Sequence, residues 1–394
     1  MFDEEETLNV DELAKVEEVC VDILPGIWRC MTKDDMLVSK CSGGIANRVY
    51  LVQVKPDRAE GKLGTEPNRV IVRLYGSTIL KNIDEPRLLG DDAEIIIFHF
   101  LSVYKLGPRL LGVFTKGRIE EYIPNVRPGP KILEKRVINQ VMARLFARIH
   151  SLELPITRKH VFYSTLFHGL MGERVKDEGE MIIQYDEEAT VIADEIDAFP
   201  FHKQLKWLDD TSIKIGAKSV FCHNDLHLYN ILFRSEHKDG NKIRKSLDTD
   251  DYNFWRSIMV PIDYELGSYG WRGYDLAYFL NFRYYHPCEG EVDYEKIKFP
   301  DSEEVLTFVK DYLSHLSEID PNFDPADSNV EQVVKEVELA SLYTHLFLFG
   351  WAINDRRIES VLDWPKAYPY LRYRKYKAEQ EQFIKKYGVP GVES

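Results

Sequence analysis

The sequence is poor in cysteine, has no long apolar run and carries no excess of positive charge. Its five cysteines, Cys20, Cys30, Cys41, Cys222 and Cys288, are odd in number and far apart, with no CxxC pair. This argues against a disulfide framework or a cysteine-based zinc site and fits a reducing, cytoplasmic setting. No segment reaches the ~20 apolar residues that span a bilayer. The strongest apolar stretches, Ile95–Leu101 and Leu346–Ile353, are short and are expected to be buried. The start, MFDEEETLNV, lacks the basic beginning and apolar core of a signal peptide. Lys and Arg number 51 against 65 Asp and Glu, a formal charge of −14. Such a surface disfavours nucleic acid and anionic membranes as broad partners. Repeats and low-complexity tracts are lacking too.

What is present is the composition of a folded protein, 44% apolar, 29% charged and 12% aromatic over 394 residues. That length exceeds one compact core and predicts two lobes. Residues 10–24 place Leu13, Val16, Cys20 and Ile23 on one helical face. Arg48–Val54 and Arg69–Tyr75 are β-branched and aromatic, as strands require, with a hairpin loop over Lys55–Asn68. Ala93–Leu106 reads as a helix, and Arg109–Phe114 and Arg118–Tyr122 as strands about a Lys116-Gly117 turn. The linker PNVRPGP, residues 124–130, marks the lobe boundary, giving residues 1–124 and 125–394.

The second region reads as mainly helical. Helices are expected over Leu133–Ser151, Glu187–Leu208, Asp275–Phe282, Ser302–Leu316 and Val330–Asp355, with a final aromatic and charged segment, Trp364–Tyr387. Short strands are expected at Ser219–His223, Asn230–Phe233 and Met259–Tyr264, and residues 235–257 read as an exposed insertion. The fold class expected is α+β and bilobal, a small β-rich lobe followed by a larger, mainly helical one, in the outline of a protein-kinase-like fold.

Two segments carry chemistry. FCHNDLHLYNILF, residues 221–233, contains His223-x-Asp225 with Asn230 five positions beyond the aspartate. PIDYELGSYGWRGYD, residues 261–275, is an apolar strand ending in Asp263 and Glu265, with Asp263 lying 38 positions after Asp225. Phosphoryl transfer from ATP needs a carboxylate to orient the attacking hydroxyl and oxygen ligands to hold a metal against the phosphates. In this spacing Asp225 is the better base and His223 an orienting, buried residue. A second carboxylate on a neighbouring strand end suits Mg²⁺, which prefers hard oxygen ligands.

These segments, with three others, resemble the choline/ethanolamine kinase family from about Cys41 to Trp351. GGIANRVYLVQV (43–54) is similar to its phosphate-loop region, VIVRLYG (70–76) to its strand bearing a basic residue, and LGPRLLGVFTKGRIEEYIP (106–124) to the stretch that follows. The resemblance implies ATP-dependent phosphorylation of the hydroxyl of choline or ethanolamine, giving phosphocholine and ADP at the start of the CDP-choline route, with Mg²⁺ as cofactor. It implies Asp225 as the base that engages the alcohol, with Asn230 and Asp263 on Mg²⁺ and Glu265 near the same metal. Arg73 would pair with the phosphates and with Glu94, Gly43, Gly44 and Asn47 would sit over the phosphates, and Glu121, Tyr122 and Ile123 would line the adenine cleft. Asp275 would be structural. Members of the family are often dimers, so a homodimer is the assembly it implies.

The amine-binding end departs from the pattern. Leu266 stands where the family carries a tyrosine, Phe282 where it carries a glutamate, and Leu348 where it carries the first tryptophan of its W-G-x-W box. Trp351 remains, and Phe282 and Tyr285 are the candidates to line a rebuilt aromatic site for a small cationic amino alcohol. Losing the carboxylate favours choline over ethanolamine, whose ammonium needs acceptors. Another small alcohol, aminoglycoside-like or a sugar, is the alternative, and a non-catalytic binding protein the more remote one. A protein kinase is disfavoured, since no GxGxxG loop, DFG or APE segment occurs.

Overall fold

The computed structural model describes residues 10–41, 47–59, 64–76, 89–126, 129–162, 199–235, 249–283, 297–355 and 367–392. The strands in chain order are β1 (Met36–Cys41), β2 (Asn47–Val54), β3 (Arg69–Tyr75), β4 (Leu110–Phe114), β5 (Gly117–Glu121), β6 (Asn125–Val126), β7 (Ser219–Cys222), β8 (Ile231–Arg234), β9 (Met259–Pro261) and β10 (Ser268–Trp271). The longer helices are α1 (Val10–Ile23), α2 (Asp91–Val103), α3 (Arg136–His150), α4 (Phe201–Lys214), α5 (Tyr252–Ile258), α6 (Arg272–Phe282), α7 (Ser302–Ile319), α8 (Val330–Asp355) and α9 (Ala367–Tyr387).

The chain divides into two compact units. The first comprises residues 1–127, 232–246 and 258–264; the second holds the rest. In the first, five antiparallel strands run in the order β1-β2-β3-β5-β4. Alternation in β2 and β3 turns Tyr50, Val52 and Val54, with Val70, Val72 and Leu74, into a core shared with Val16, Val19 and Cys20 of α1 and with Trp28. Strand β1, which has no sharp period in its sequence, pairs along the whole of Met36–Cys41 with β2. A small sheet, β6-β8-β9, belongs to this unit as well. Pairing of Asn125 with Arg234 and of Val126 with Phe233 closes it across more than a hundred positions of sequence.

In the second unit α3 buries Val137, Val141, Leu145 and Ile149 along one face, together with His150. β7 pairs antiparallel with β10, Cys222 opposite Ser268. Helix α6 is buried along its entire length. Arg272 makes a bidentate pair with Glu336 of α8, Nε to Oε2 at 2.9 Å and Nη2 to Oε1 at 2.7 Å, with both side chains at most 1% exposed. A charge pair so buried persists only with good geometry and every remaining donor used, and Nη1 of Arg272 donates to Ser328 Oγ at 2.8 Å. The next residue, Gly273, lies against the α8 backbone, where an added Cβ would sit 2.4 Å from the Glu336 carbonyl oxygen.

The sequence-based expectation of an exposed insertion over 235–257 is corrected at its end. Tyr252–Ile258 is helical and Trp255 is fully buried, its Nε1 donating to the Thr249 carbonyl at 2.9 Å. One large ring anchors a segment whose polar neighbours hide it from a composition argument. Residues 236–248, like the predicted helical start at 187–198, lie outside the described residues. Among the described residues no helix is long and apolar enough to cross a membrane.

Gly273→Ala is expected to destabilise the second unit by about 1–3 kcal/mol through overpacking against α8, read as a lower thermal midpoint. An unchanged midpoint would show that α6 can shift away from α8.

Candidate active site

The first unit presents a ladder of alternating charge. Arg73 on β3 and Arg118 on β5 lie directly opposite each other, an arrangement that destabilises a sheet unless a counter-charge intervenes. Glu120, two residues along the same face of β5, supplies it. Its Oε1 accepts from Arg73 Nε at 3.0 Å and from Arg118 Nε at 2.7 Å. Burial alone would raise this carboxyl, but the two guanidinium groups outweigh it and hold the group below the usual carboxylate range. Arg118 continues the ladder to Glu94 of α2 at 2.5 Å and to the Tyr75 hydroxyl at 2.9 Å, with its guanidinium 4.2 Å from the Phe98 ring centroid. At the other end, Arg73 Nη1 lies 3.8 Å from Asp263 Oδ1. Asp263 has φ of +67°, the left-handed region that few residues other than glycine enter.

Sequence reasoning placed Arg73, Glu94 and Asp263 in one site but passed over Arg118 and Glu120. The signal available was Gly117-Arg118-x-Glu120, whose two-residue spacing puts both charges on one strand face. Asn47 opens β2 opposite Tyr75 and is 3% exposed. Gly43 and Gly44 lie outside the described residues. Of the residues expected to line the adenine cleft, Glu121 accepts from Arg234 Nη1 on Oε1 and from the Arg109 N–H on Oε2, each at 3.2 Å. Tyr122 lies under the Arg69 guanidinium, 4.8 Å from ring centroid to carbon, and Ile123 is buried.

The second unit carries the HxDxxxxN loop. After β7 the chain turns through Asn224 at φ +67°, and the turn is held by one carboxylate. Asp275, in the first turn of α6, accepts the backbone N–H of His223 on Oδ2 and that of Asn224 on Oδ1, both at 2.7 Å. The Asn224 side-chain amide donates to the Leu266 carbonyl at 2.8 Å and to Ser268 Oγ at 3.0 Å. His223 is fully buried and its Nδ1 accepts the Asp225 N–H at 3.3 Å. Asn230 donates from Nδ2 to both the Asp225 carbonyl, at 2.8 Å, and Asp225 Oδ2, at 3.0 Å. With both amide hydrogens so used, Oδ1 of Asn230 is the atom left to meet a cation.

Beneath the loop, donor atoms of His150, Cys222 and Asp275 all lie within 4.8 Å of one another. Their chemistry is that of a support rather than a metal site. His150 bridges Tyr312 Oη at 3.0 Å and Asp275 Oδ2 at 3.3 Å. Cys222 directs its thiol to the carbonyls of Val220 and Trp271, at 3.6 and 3.7 Å. Burial, and then the Asp275 charge, push that thiol well above its usual range, away from the thiolate that binds metals.

Around Asp225, Tyr278 donates its hydroxyl to Oδ1 at 2.7 Å. Phe282, 8% exposed, stacks on Tyr278 with centroids 5.4 Å apart and on His227 at 5.1 Å, and His227 and Tyr278 are 6.4 Å apart. Rings this close to one another leave no space between them for an ammonium, which needs several ångströms to each centroid. Leu348 is buried in α8. Trp351 belongs to the same helix, and Tyr285 lies outside the described residues. Glu265 sits in the short 3₁₀ turn Tyr264–Leu266.

Solved structures share this fold. A choline kinase from Cryptosporidium parvum matches with a TM-score of 0.64 at 20% identity, over 96% of this chain and 98% of that one. An ethanolamine kinase from Plasmodium vivax matches with a TM-score of 0.57 at 19% identity, over 88% and 82%. The architecture is therefore the protein-kinase-like fold. Within that fold the chain belongs to the choline/ethanolamine kinase family, whose pattern it matches over residues 38–387. A human protein named choline/ethanolamine kinase is 27% identical over 95% of this chain and 88% of its own length. Mouse choline kinase alpha is 26% identical over 91% and 78%.

The Glu120 carboxyl supplies a pH-dependent prediction. A carboxyl held low in the folded state stabilises above its unfolded pKa of 4.5 and loses that contribution as pH falls through the folded value. Glu120→Gln is expected to lower the thermal midpoint at pH 7, with the gap from wild type narrowing below pH 4.5. A gap independent of pH would show that the contribution is not ionic.

Proposed function

We propose that this protein transfers the γ-phosphoryl group of ATP to the hydroxyl of choline, giving phosphocholine and ADP, with ethanolamine as the other family substrate. The observation that carries this proposal is Asp225. The backbone of the two residues before it is held by Asp275, its own N–H donates to His223 Nδ1, and its carboxylate accepts from Asn230 and Tyr278. A carboxylate so fixed can accept the alcohol proton as the oxygen attacks, which is most of what phosphoryl transfer asks of a side chain.

Asn230, Asp263 and Glu265 offer oxygen atoms suited to Mg²⁺, and the commitment of the Asn230 amide to Asp225 fits that role. The metal, when bound, neutralises charge on the β- and γ-phosphates. Arg73, held between Glu120 and Asp263, is the residue for the nucleotide phosphates, with Gly43, Gly44 and Asn47 above them. With Glu121 committed to Arg234 and Arg109, recognition of adenine at 121–123 falls to backbone groups. Choline is favoured over ethanolamine because Phe282 brings no counter-charge to the amine. A net charge of −14 also attracts a permanent cation. Trp351 and Tyr285 are the remaining candidates to face it.

The experiment is ADP release with Mg²⁺-ATP across choline, ethanolamine and their methylated intermediates. Turnover highest with choline is expected, and no turnover with any of them would overturn the proposal. Asp225→Asn should lower kcat by about 10²–10⁴-fold, as general-base groups do, with ATP affinity retained.

A further inference from the structure

The Asp225 carboxylate meets a third polar group that neither the phosphotransfer motif nor its spacing points to. His227 Nε2 lies 3.6 Å from Oδ1, the oxygen that also accepts the Tyr278 hydroxyl. The opposite nitrogen, Nδ1, accepts the backbone N–H of Tyr229 at 3.1 Å and so caps the turn Leu228–Asn230. A nitrogen that accepts carries no proton, so the proton of the neutral ring is on Nε2, facing the carboxylate. The ring plane is fixed as well, because Phe282 stacks on it at 23° with centroids 5.1 Å apart. A cap at one nitrogen and a stacked ring on the face together aim a single N–H at the base.

We propose that His227 is a positioning residue for phosphoryl transfer, its Nε2–H holding the Asp225 carboxylate in the rotamer that receives the alcohol. The proposal rests on the functional reading above. At 3.6 Å the contact is longer than a hydrogen bond; catalytic hydrogen bonds are often long in the free enzyme and tighten on substrate. Phe282 then has a definite job, which is to orient His227 rather than to contact the amine.

Two side chains separate the cap from the aim. Asparagine places an oxygen near the Nδ1 position and keeps the cap but does not reach Asp225. Glutamine extends an amide N–H towards the Nε2 position. His227→Asn is expected to lower kcat about 10- to 100-fold, in the range that small misplacements cost, with KM for ATP changed less than about twofold. His227→Gln should restore most of the loss. A kcat for His227→Asn near wild type, or a glutamine variant no better than asparagine, would overturn the proposal. If the asparagine variant does not fold, a loss above tenfold in a folded His227→Gln does so instead. Imidazole ¹⁵N NMR of the wild-type protein gives a readout independent of turnover, expected to show protonated Nε2 and bare Nδ1. A ring protonated at Nδ1 overturns the proposal whatever the alcohol. A wild type inert toward choline and ethanolamine refutes the functional reading, while the ring resonances still decide whether His227 aims at Asp225.

Discussion

The grip of the Asp275 carboxylate on two successive backbone N–H groups is the interaction on which the second unit's chemistry depends. A carboxylate 1% exposed is costly unless it is fully hydrogen-bonded, and here each oxygen takes one N–H at 2.7 Å while His150 approaches Oδ2 from below. The two bonds hold His223 and Asn224 through a left-handed turn that an unsupported chain would leave. Asp225 is thereby turned towards Tyr278, Asn230 and His227. The Arg272–Glu336 pair and the close approach of Gly273 to α8 fix the helix that carries Asp275. Positioning thus runs from a helix–helix contact to a carboxylate, then to a backbone turn, and finally to Asp225.

The first unit solves a different problem with similar means. It holds two arginines facing each other across neighbouring strands by placing one carboxylate between them. Glu120 is shared between Arg73 and Arg118, and Arg118 takes Glu94 as well. Sharing orients both guanidinium groups on one carboxylate oxygen. The long Asp263 contact, 3.8 Å, is of the same character.

Much of this was legible where the signal is local. The strand Arg69–Tyr75, the strand read as Arg48–Val54 and found at Asn47–Val54, the helix Val330–Asp355 and the spacing of Asp225, Asn230 and Asp263 were all readable from the sequence. What escaped was of two kinds. One was partnership across long separations: His150 with Asp275, Tyr278 with Asp225, Arg234 with Glu121. Nothing in the sequence of α3 marks His150 as more than one polar residue at the end of an apolar face. The other was burial of a single ring in polar surroundings, as with Trp255. The departures from the family pattern were legible only by resemblance, which sets Phe282 where the family carries a glutamate; the structure packs that ring on His227 and Tyr278.

The first unit is assembled from three separate stretches of chain, and this bears on how the protein is made. Strand β6 has its partner at 231–234, and Arg73 meets Asp263, which lies beyond the HxDxxxxN loop. A ribosome that has released residues 1–127 has therefore not released a complete first unit. Its small sheet and the acidic end of its charge ladder must wait until residue 264 has emerged, when much of the second unit is already outside. The first unit thus stays unfinished while residues 128–231 of the second emerge, and a fragment cut after residue 127 would keep the five-stranded sheet but lose the strand that pairs with β6.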